Sequence, residues 1–354
     1  MQSEYPKQED QQLDLTQPSG SEPSRWKRAV KSLIGVLVGM VFLVLALRNV
    51  DLANAWQALA SVKKAWLGVL LPLLLANLGL RSLRWRWMFP PHCAPTFREA
   101  FDAFMLGALG NNLMPGRLGD FLRAAVIGRH LPGMGMSGTL ATIILEKVLD
   151  GIVVLALLAL SFALAPLPDW LAQMGLVGLL AFASAFLALW ILNALGRSAT
   201  VLARLEMHAG RLQQLLARGL VLLQRFSNGL HGLHSKTQLV LLIALSISIW
   251  LLETLTVFAS FQSFALSLPF AAALVTIVLL CVGTMLPAAP GFIGTYQFFV
   301  ITALDLYHVP QSSALALAVF LNVLMILVTT VTGLIALSLE GGLVRLIRTA
   351  PKIS

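Results

Sequence analysis

The most regular feature of the chain is a series of long apolar segments separated by short polar ones. Leucine and alanine dominate these segments, and charged residues are rare within them. A helix of about 20 apolar residues crosses the ~30 Å hydrocarbon core of a bilayer, and it satisfies its own backbone hydrogen bonds there. We therefore predict six full membrane-spanning helices, at about residues 32–47, 65–83, 138–165, 170–193, 238–265 and 312–338.

Two other apolar stretches are interrupted near their middle by Pro-Gly sequences. The pieces lie at about 99–113 and 118–128 around the first break, Pro115-Gly116-Arg117, and at about 270–286 and 293–305 around the second, Pro287-Ala288-Ala289-Pro290-Gly291. Each piece is short for a full crossing, so we predict two re-entrant helical hairpins. If every short piece crossed the membrane instead, the chain would have ten spans.

The two breaks share one local pattern. Pro115-Gly116-x-x-Gly119 and Pro290-Gly291-x-x-Gly294 have the same spacing and lie 175 residues apart. Broken segments at corresponding positions in two halves of opposite orientation are typical of inverted-repeat transporters. The pattern predicts a first repeat at about 65–165 and a second at about 238–338. The alternative is that each Pro-Gly pair only forms a loop.

Composition and charge support a membrane location. Hydrophobic residues make up 58% of the 354 residues and charged residues only 12%, against about 45–50% and 25% in soluble domains. These proportions exclude a soluble enzyme, a nucleic-acid-binding protein and a secreted scaffold as descriptions of the whole chain. The net charge is +9, of which residues 1–24 contribute −4 and the remainder +13. This positive charge lies mostly between apolar segments, where it orients the spans and contacts anionic lipid.

The distribution of lysine and arginine predicts which ends face the cytoplasm. The basic segments 84–98, 129–137 and 197–236 are placed inside with both termini, and the loops placed outside, 166–169, 266–269 and 306–311, contain neither residue type. The loop at 48–64 is an exception. At the end of the second span, Arg81, Arg84 and Arg86 alternate with Trp85 and Trp87, a pattern typical of a membrane interface.

Three polar segments complete the predicted organisation. Residues 1–24 are rich in Gln, Ser and Pro and are predicted to be a disordered tail, and 346–354 form a short cytoplasmic tail. Residues 25–345 form a single transmembrane domain. Within it, 197–236 has an arginine at every seventh position and leucines at three- to four-residue spacing. This amphipathic segment is expected to lie on anionic lipid headgroups, or alternatively to bind a partner as a coiled coil.

Ionisable residues within the apolar segments are candidate functional groups, because each costs about 2.5–3.5 kcal/mol to insert at mid-membrane. They are Arg117, Asp120, Arg123, Glu146, Lys147, Asp150 and Glu253, the last of which stands alone in its span. One interpretation is that they neutralise one another, for example Arg117 with Glu146. The other is a polar cavity in which an arginine guanidinium binds a phosphate oxygen through its bidentate fork.

The cavity interpretation also uses neutral groups. Helix N-termini after each break would offer amide donors and positive dipole ends, and amide side chains and a tyrosine lie beside both breaks. The predicted substrate-binding set is Asn111, Asn112, Pro115, Gly116, Arg117, Asp120, Arg123, Glu146, Lys147, Asp150, Pro290, Gly291, Gly294, Tyr296 and Gln297. We predict no catalytic residue, metal site or cofactor.

Three stretches carry a family resemblance. They are Asn-Asn-Leu-Met-Pro-Gly-Arg-Leu-Gly-Asp-Phe-Leu-Arg (111–123), Glu-Lys-Val-Leu-Asp (146–150) and Leu-Pro-Ala-Ala-Pro-Gly-Phe-Ile-Gly-Thr-Tyr-Gln (286–297). In this order they resemble the lysylphosphatidylglycerol synthase transmembrane-region family, whose stand-alone members are called flippase-like. The chain departs from the family at Asp120, Lys147, Phe292 and Gln297, where Glu, Arg, Gly and Glu are common.

The resemblance implies a multi-pass protein of the bacterial inner membrane that moves or handles lipid, such as an aminoacylated phospholipid or a polyprenyl-linked intermediate. In bifunctional relatives a cytoplasmic domain transfers the amino acid. Only about 16 residues follow the last predicted span, so the synthase activity is not expected here. Anionic membrane lipid and an envelope-lipid enzyme are the expected partners, nucleic acid is not, and the oligomeric state stays open.

The leading functional hypothesis is therefore a lipid translocase with a polar mid-membrane cavity. One alternative is an intramembrane lipid-modifying enzyme that uses Asp120, Glu146 or Asp150 as acid or base. Another is a non-transporting membrane subunit of an envelope-lipid or glycosyltransferase system. The chain has no Gly-x-x-x-x-Gly-Lys-Ser/Thr string, so direct use of ATP is not expected. For a translocase, Arg117→Ala and Glu146→Ala are both expected to abolish transport without loss of stability.

Overall fold

The structure, a computed structural model, describes residues 37–48, 50–114, 117–129, 131, 134–164, 167–202, 226–227, 229–230, 235–285 and 289–338. All regular secondary structure in these residues is helical. The two tails and most of the predicted 197–236 segment lie outside them.

Eleven α-helices have both of their ends in the described residues. They are α1 (Leu37–Leu47), α2 (Leu52–Ala60), α3 (Leu67–Trp87), α4 (Phe97–Leu113), α5 (Leu118–Gly128), α6 (Gly135–Leu164), α7 (Asp169–Leu202), α8 (Lys236–Ser263), α9 (Phe270–Met285), α10 (Thr295–Asp305) and α11 (Gln311–Ser338). Short 3₁₀ turns cover Lys64–Trp66 and Pro290–Phe292. The predicted apolar segments become helices, and most of their ends fall within three residues of the predicted ones.

Four of the helical segments are long and apolar enough to cross a membrane: Lys64–Trp87, Asp169–Ala194, Lys236–Ser263 and Gln311–Ser338. The bent pair α1 and α2 would make a fifth if it is one broken span. The α-helical membrane architecture thus agrees with the sequence. Six full spans and re-entrant hairpins stay predictions.

Local sequence explains how the first short helix begins. Thr96 accepts a hydrogen bond from the backbone N–H of Glu99 at 3.2 Å, and the Glu99 carboxylate accepts one from the backbone N–H of Thr96 at 2.7 Å. This reciprocal capping box satisfies amides that lack partners within the helix. It fixes the start of α4 before the apolar segment that leads to the first break.

The core consists of two large apolar clusters. One joins the second half of α6 to α8, α9, α10 and α11, and the other joins the end of α3 to α4, α5 and the first half of α6. Hydrogen bonds add specificity, because Asn77 Nδ2 donates to the Ile249 carbonyl at 2.8 Å and Trp85 Nε1 donates to Thr142 Oγ1 at 3.0 Å. These bonds tie α3 to α8 and to α6.

The short helices pack in pairs around the two breaks. α4 packs against α5 and α9 packs against α10, while α11 contacts both α4 and α10. The Pro290–Phe292 turn of the second break also contacts α4. The regions around the two breaks, 175 residues apart in sequence, therefore lie together.

Glycines allow α4 and α5 to approach closely. A Cβ atom at Gly119 would lie 1.9 Å from the Gly107 carbonyl oxygen, and one at Gly110 would lie 2.9 Å from the Cα of Gly119. No real Cβ tolerates such contacts, so glycine at these positions sets the distance between the two helices.

We expect Gly119→Ala to lower the free energy of unfolding by about 1–3 kcal/mol, the typical cost of inserting a carbon into a packed interface. Gly68→Ala is the matched control, because nothing lies within 4 Å of its added Cβ and alanine favours a helix by up to about 1 kcal/mol. Thermal unfolding in one detergent measures both. Equal stability of the two variants would contradict the close packing.

Candidate functional site

A cavity of about 230 Å³ lies between α3, α4, α5, α6, α8, α9, α10 and α11. Ten of the fifteen predicted substrate-binding residues line it: Asn111, Asn112, Arg117, Asp120, Arg123, Glu146, Lys147, Asp150, Gly291 and Tyr296. The structure therefore brings residues of both breaks and of α6 to one polar space.

The other five predicted residues are placed differently. Pro115 and Gly116 lie outside the described residues. Pro290 begins the 3₁₀ turn of the second break, and Gly294 and Gln297 hold the start of α10. These last three support the cavity wall instead of lining it.

Arg123 and Glu146 form the central ion pair. The two guanidinium Nη atoms of Arg123 each lie 3.2 Å from a different carboxylate oxygen of Glu146, and Nη2 is also 3.1 Å from Asp120 Oδ1. The guanidinium is 4.9 Å from the ring centres of both Trp85 and Phe104. A guanidinium fork paired with a carboxylate and flanked by aromatic faces is well suited to a buried charge.

A second ion pair, between Arg84 and Asp150, joins α3 to α6. Arg84 Nη2 lies 3.2 Å from Asp150 Oδ2, and its Nη1 donates to Oδ1 of the same carboxylate and to Ser246 Oγ at 2.7 Å. Trp250 Nε1 donates to Asp150 Oδ1 at 3.0 Å. Arg84 is fully buried, so this pair is as deep in the protein as the first.

A third pair joins Glu253, the single acid of its span, to Arg81 of α3. Arg81 Nη2 donates to Glu253 Oε2 at 2.9 Å, and Arg81 Nε donates to Asn77 Oδ1 at 2.7 Å. Both charged side chains are about one-fifth exposed and line the cavity.

Arg84 is fully buried and Arg81 largely buried, whereas the interface interpretation of the Arg-Trp cluster stays a prediction. Because α3 continues to Trp87, four residues beyond the predicted span, both arginines project from a helix that is packed against α8 and α6. The signal that could have found them is the spacing of Asn77, Arg81 and Arg84, which places three polar groups on one helical face.

Arg117 is the exception among the charged residues. Its backbone is left-handed, with φ 56° and ψ 36° at the N-cap of α5, a conformation that costs a non-glycine residue about 1–2 kcal/mol. Its guanidinium carbon lies 5.3 Å from the Phe292 ring. Its Nε is buried without a hydrogen-bond partner, and within the described ranges it makes no ion pair.

The suggested pairing of Arg117 with Glu146 is therefore not formed. Glu146 instead contacts Arg123, Lys147 and, at 3.9 Å, Arg84. Sequence spacing alone could not identify the partner of Glu146, because the choice among several basic residues depends on how α3, α5 and α6 pack.

The ion network together with Arg117, which makes no ion pair within the described ranges, carries one positive charge in excess. In the part of the chain that the structure describes, this set contains the basic residues Arg81, Arg84, Arg117, Arg123 and Lys147 and the acidic residues Asp120, Glu146, Asp150 and Glu253. Lys147 is 3.3 Å from Glu146 and 3.8 Å from Asp120 and is 39% exposed. The cavity can therefore accept one anionic group at Arg117 without leaving excess negative charge.

Amide side chains occupy the helix N-termini that were expected to be open to ligand. Asn111 Oδ1 accepts from the Gly119 N–H at 2.9 Å in the first break, and Gln297 Oε1 accepts from the Gly294 N–H at 2.7 Å in the second. The backbone N–H groups of Gly119 and Gly294 are therefore not free donors. At both breaks, an amide side chain thus accepts a hydrogen bond from a backbone N–H at the start of the following helix.

Two other asparagines join neighbouring elements. Asn112 Nδ2 donates to Thr329 Oγ1 at 2.8 Å, which ties α4 to α11. Asn322 Nδ2 donates to the Gly291 carbonyl at 3.0 Å, and its Oδ1 accepts from Gln297 Nε2 at 3.2 Å. Asn322 is not among the predicted site residues. Its position as a polar residue within an apolar span is the signal that could have identified it.

We expect Asn322→Leu to lower the free energy of unfolding by about 1–3 kcal/mol, because it leaves the Gly291 carbonyl and the Gln297 amide without partners. Gln57→Leu, at an exposed position of α2, is the control and should change it by less than about 0.5 kcal/mol. Thermal unfolding in detergent compares them. A neutral Asn322→Leu would mean that these bonds do not hold the second break.

In the described residues no group of three His, Cys, Asp or Glu side chains is arranged to hold a metal ion. The chemistry that the arrangement offers is thus that of charge and hydrogen bonding: a cation on an aromatic ring, a network of buried ion pairs, and neutral amides at the breaks.

Comparison with known proteins identifies the family of the chain. The family described as the lysylphosphatidylglycerol synthase TM region matches residues 32–333, which include both breaks and all eleven helices but the end of the last. The chain belongs to this family. A UPF0104 membrane protein from Methanothermobacter thermautotrophicus is 23% identical over 291 residues, which cover 78% of this chain and 84% of the relative. No solved structure matches.

Membership of the lysylphosphatidylglycerol synthase TM-region family confirms the resemblance found in the three sequence stretches. Together with the apolar helices it establishes a multi-pass membrane protein. The region that matches the family, residues 32–333, contains every charged residue that lines the cavity.

Proposed function

We propose that this protein is a flippase-like lipid translocase, which moves the headgroup of a phospholipid or polyprenyl-linked lipid through the polar cavity while the acyl chains stay in the bilayer. The observation that carries the proposal is Arg117, a cation without an ion-pair partner among the described residues that lines a cavity in a membrane domain. Such a charge is costly in a membrane, and a phosphate would compensate it.

In this proposal Arg117 binds the phosphate through its guanidinium, with Lys147 as a second, more exposed cation. The paired arginines do not bind ligand directly. Asp120, Glu146 and Asp150 hold Arg123 and Arg84 in place, so that the positive potential in the cavity comes from Arg117. Asn111, Asn112 and Tyr296 supply neutral polar surface around it.

The proposed membrane arrangement is six full spans and two oppositely oriented re-entrant hairpins, α4 with α5 and α9 with α10. The inverted repeats at about 65–165 and 238–338 are part of the proposal. Its support is that each hairpin is a pair of short packed helices around a Pro-Gly break and that both breaks border one cavity, as in transporters with broken helices. We place the protein in the bacterial cytoplasmic membrane with both termini inside, where the basic 197–236 segment contacts anionic lipid or an envelope-lipid enzyme.

The test is a transbilayer assay in proteoliposomes. Phospholipids with a fluorescent headgroup label are placed in both leaflets, and an impermeant reductant quenches those in the outer one. We expect the wild type to expose inner-leaflet anionic phospholipid at least ten times faster than protein-free vesicles, and faster than zwitterionic phospholipid of the same chain length. Rates equal to those of protein-free vesicles for anionic phospholipid and for polyprenyl phosphate alike would overturn the proposal.

A further inference from the structure

An apolar groove lies on the outside of the cavity, between α5 and α7 and over α6. It has a volume of about 430 Å³ and is lined by Phe121 of α5, by Leu140, Ile143, Ile144 and Val148 of α6, and by Ala181, Phe182 and Ala185 of α7, in addition to three charged residues. α5 and α7 both pack against α6, which forms the floor. The groove faces outward, since Phe121 and Ile144 are 51% and 42% exposed.

Close packing fixes the far wall of the groove. A Cβ atom at Gly151 of α6 would lie 2.2 Å from Cε1 of Phe182, so the glycine lets the Phe182 ring rest on α6. α7 is otherwise the least buried of the candidate spans, with 6% of its most apolar window inside the protein. The groove is therefore a defined depression on an exposed, apolar side of the molecule.

The groove and the cavity meet at three charged residues. Arg117, Asp120 and Lys147 line both spaces. These three side chains therefore form the boundary between the apolar groove and the polar cavity. The protein surface is apolar on the groove side of this junction and carries cations at the junction. Apolar and charged surfaces thus follow one another here, as the apolar and charged parts do in an amphipathic molecule.

A phospholipid fits this order. An acyl chain in the polar cavity would displace water and leave charged groups without solvation, which is unfavourable. An acyl chain in the groove exchanges one apolar environment for another, because lipid tails are as apolar as leucine side chains. The floor of the groove extends about 12 Å along α6 from Leu140 to Val148, at 1.5 Å per residue. This length accommodates a substantial part of one acyl chain.

We propose that the α5–α6–α7 groove is the lateral port of the translocation path and seats one acyl chain of an anionic phospholipid whose phosphate binds between Arg117 and Lys147. This inference rests on the proposed function and adds the side from which the lipid reaches the cavity. It excludes arrival of the whole lipid through the α9–α11 side of the cavity.

Photocrosslinking tests the port without requiring transport. The wild type is reconstituted with phosphatidylglycerol that carries a diazirine in the middle of one acyl chain, and labelled peptides are identified by mass spectrometry. We expect label at Phe121, Ile144 and Phe182 to be at least fivefold higher than with phosphatidylcholine bearing the same chain. Label spread evenly over exposed residues elsewhere, such as Leu179 and Val240, would overturn the port.

A filled groove provides the second test. Ala181→Trp places a large ring in the groove, and Ala183→Trp, at an exposed alanine outside it, is the matched control. We expect Ala181→Trp to lower groove labelling and anionic lipid exchange at least tenfold, and Ala183→Trp to leave both unchanged. Glycerophosphoglycerol, a soluble headgroup without chains, should bind both variants equally, because the charged junction is intact.

The outcomes separate this inference from the proposed function. Lipid exchange that persists unchanged in Ala181→Trp, without preferential groove labelling, contradicts the port and leaves translocation standing. Preferential labelling of the groove by phosphatidylglycerol, with no exchange in the wild type, supports the port as a lipid site and contradicts translocation.

Discussion

Glu146→Leu is expected to lower the free energy of unfolding by about 3–5 kcal/mol, the usual cost of removing one partner of a buried ion pair. Glu146 is 1% exposed and accepts both charged contacts of Arg123 at 3.2 Å, with Arg84 at 3.9 Å. Without the carboxylate, two buried guanidinium groups lose a compensating charge. Thermal unfolding of the purified protein in one detergent measures the loss.

A double variant shows whether the cost comes from the uncompensated charge. Arg123→Met with Glu146→Leu replaces the pair by apolar groups of similar volume, and such replacements are often close to neutral. We expect the double variant to be more stable than Glu146→Leu alone. Asp305→Asn, at an exposed position, should change stability by less than about 0.5 kcal/mol. Additive losses in the two single variants would mean that Arg123 and Glu146 act independently.

This expectation revises the sequence-based one. From the sequence alone, loss of Glu146 is expected to abolish transport and to leave stability unchanged. The structure places Glu146 at the centre of the ion network, so its main effect is on folding. For the loss of Arg117, we still expect an effect on transport without an effect on stability.

Arg117→Gly is expected to slow anionic lipid exchange about 10- to 100-fold without loss of stability. A hydrogen bond to a charged group contributes about 1.5–3 kcal/mol, and about 1.4 kcal/mol corresponds to a factor of ten. Glycine also relieves the left-handed backbone at φ 56°, a gain of about 1 kcal/mol. The proteoliposome assay and thermal unfolding in detergent measure the two effects on the same preparation.

Two further variants control for charge and for general damage. Arg117→Lys keeps the charge but loses the bidentate fork, so we expect intermediate exchange. Arg48→Ala removes an exposed arginine that does not line the cavity, and this variant should exchange lipid as the wild type does. Wild-type exchange in Arg117→Gly would show that the headgroup does not bind at this residue.

The sequence predicts well where the helices begin and end. It predicts poorly which charged and amide side chains contact one another. Helix ends follow from local features that the chain displays directly: the apolar segments, the Thr96 capping box and the Pro-Gly breaks. The ion pairs depend on distant contacts, since Arg81 and Glu253 are 172 residues apart and Arg84 and Asp150 are 66 apart. Asn111 and Gln297 show the same limit, because an amide that satisfies a backbone N–H and one that awaits a ligand have the same sequence signature.

The three ion pairs and the neutral amide contacts join different sets of helices, and they differ in the free energy needed to separate them. The ion pairs join α3 to α8, α3 to α6 and α5 to α6, whereas α4 meets α11 through bonds such as Asn112 to Thr329 and through Gly333 against Leu109. Separating buried opposite charges costs several kcal/mol, while hydroxyl and amide partners exchange at about 1 kcal/mol each. We therefore expect helices α3, α5, α6 and α8 to move together, and sliding between conformations to cost least along the contact of α4 with α11.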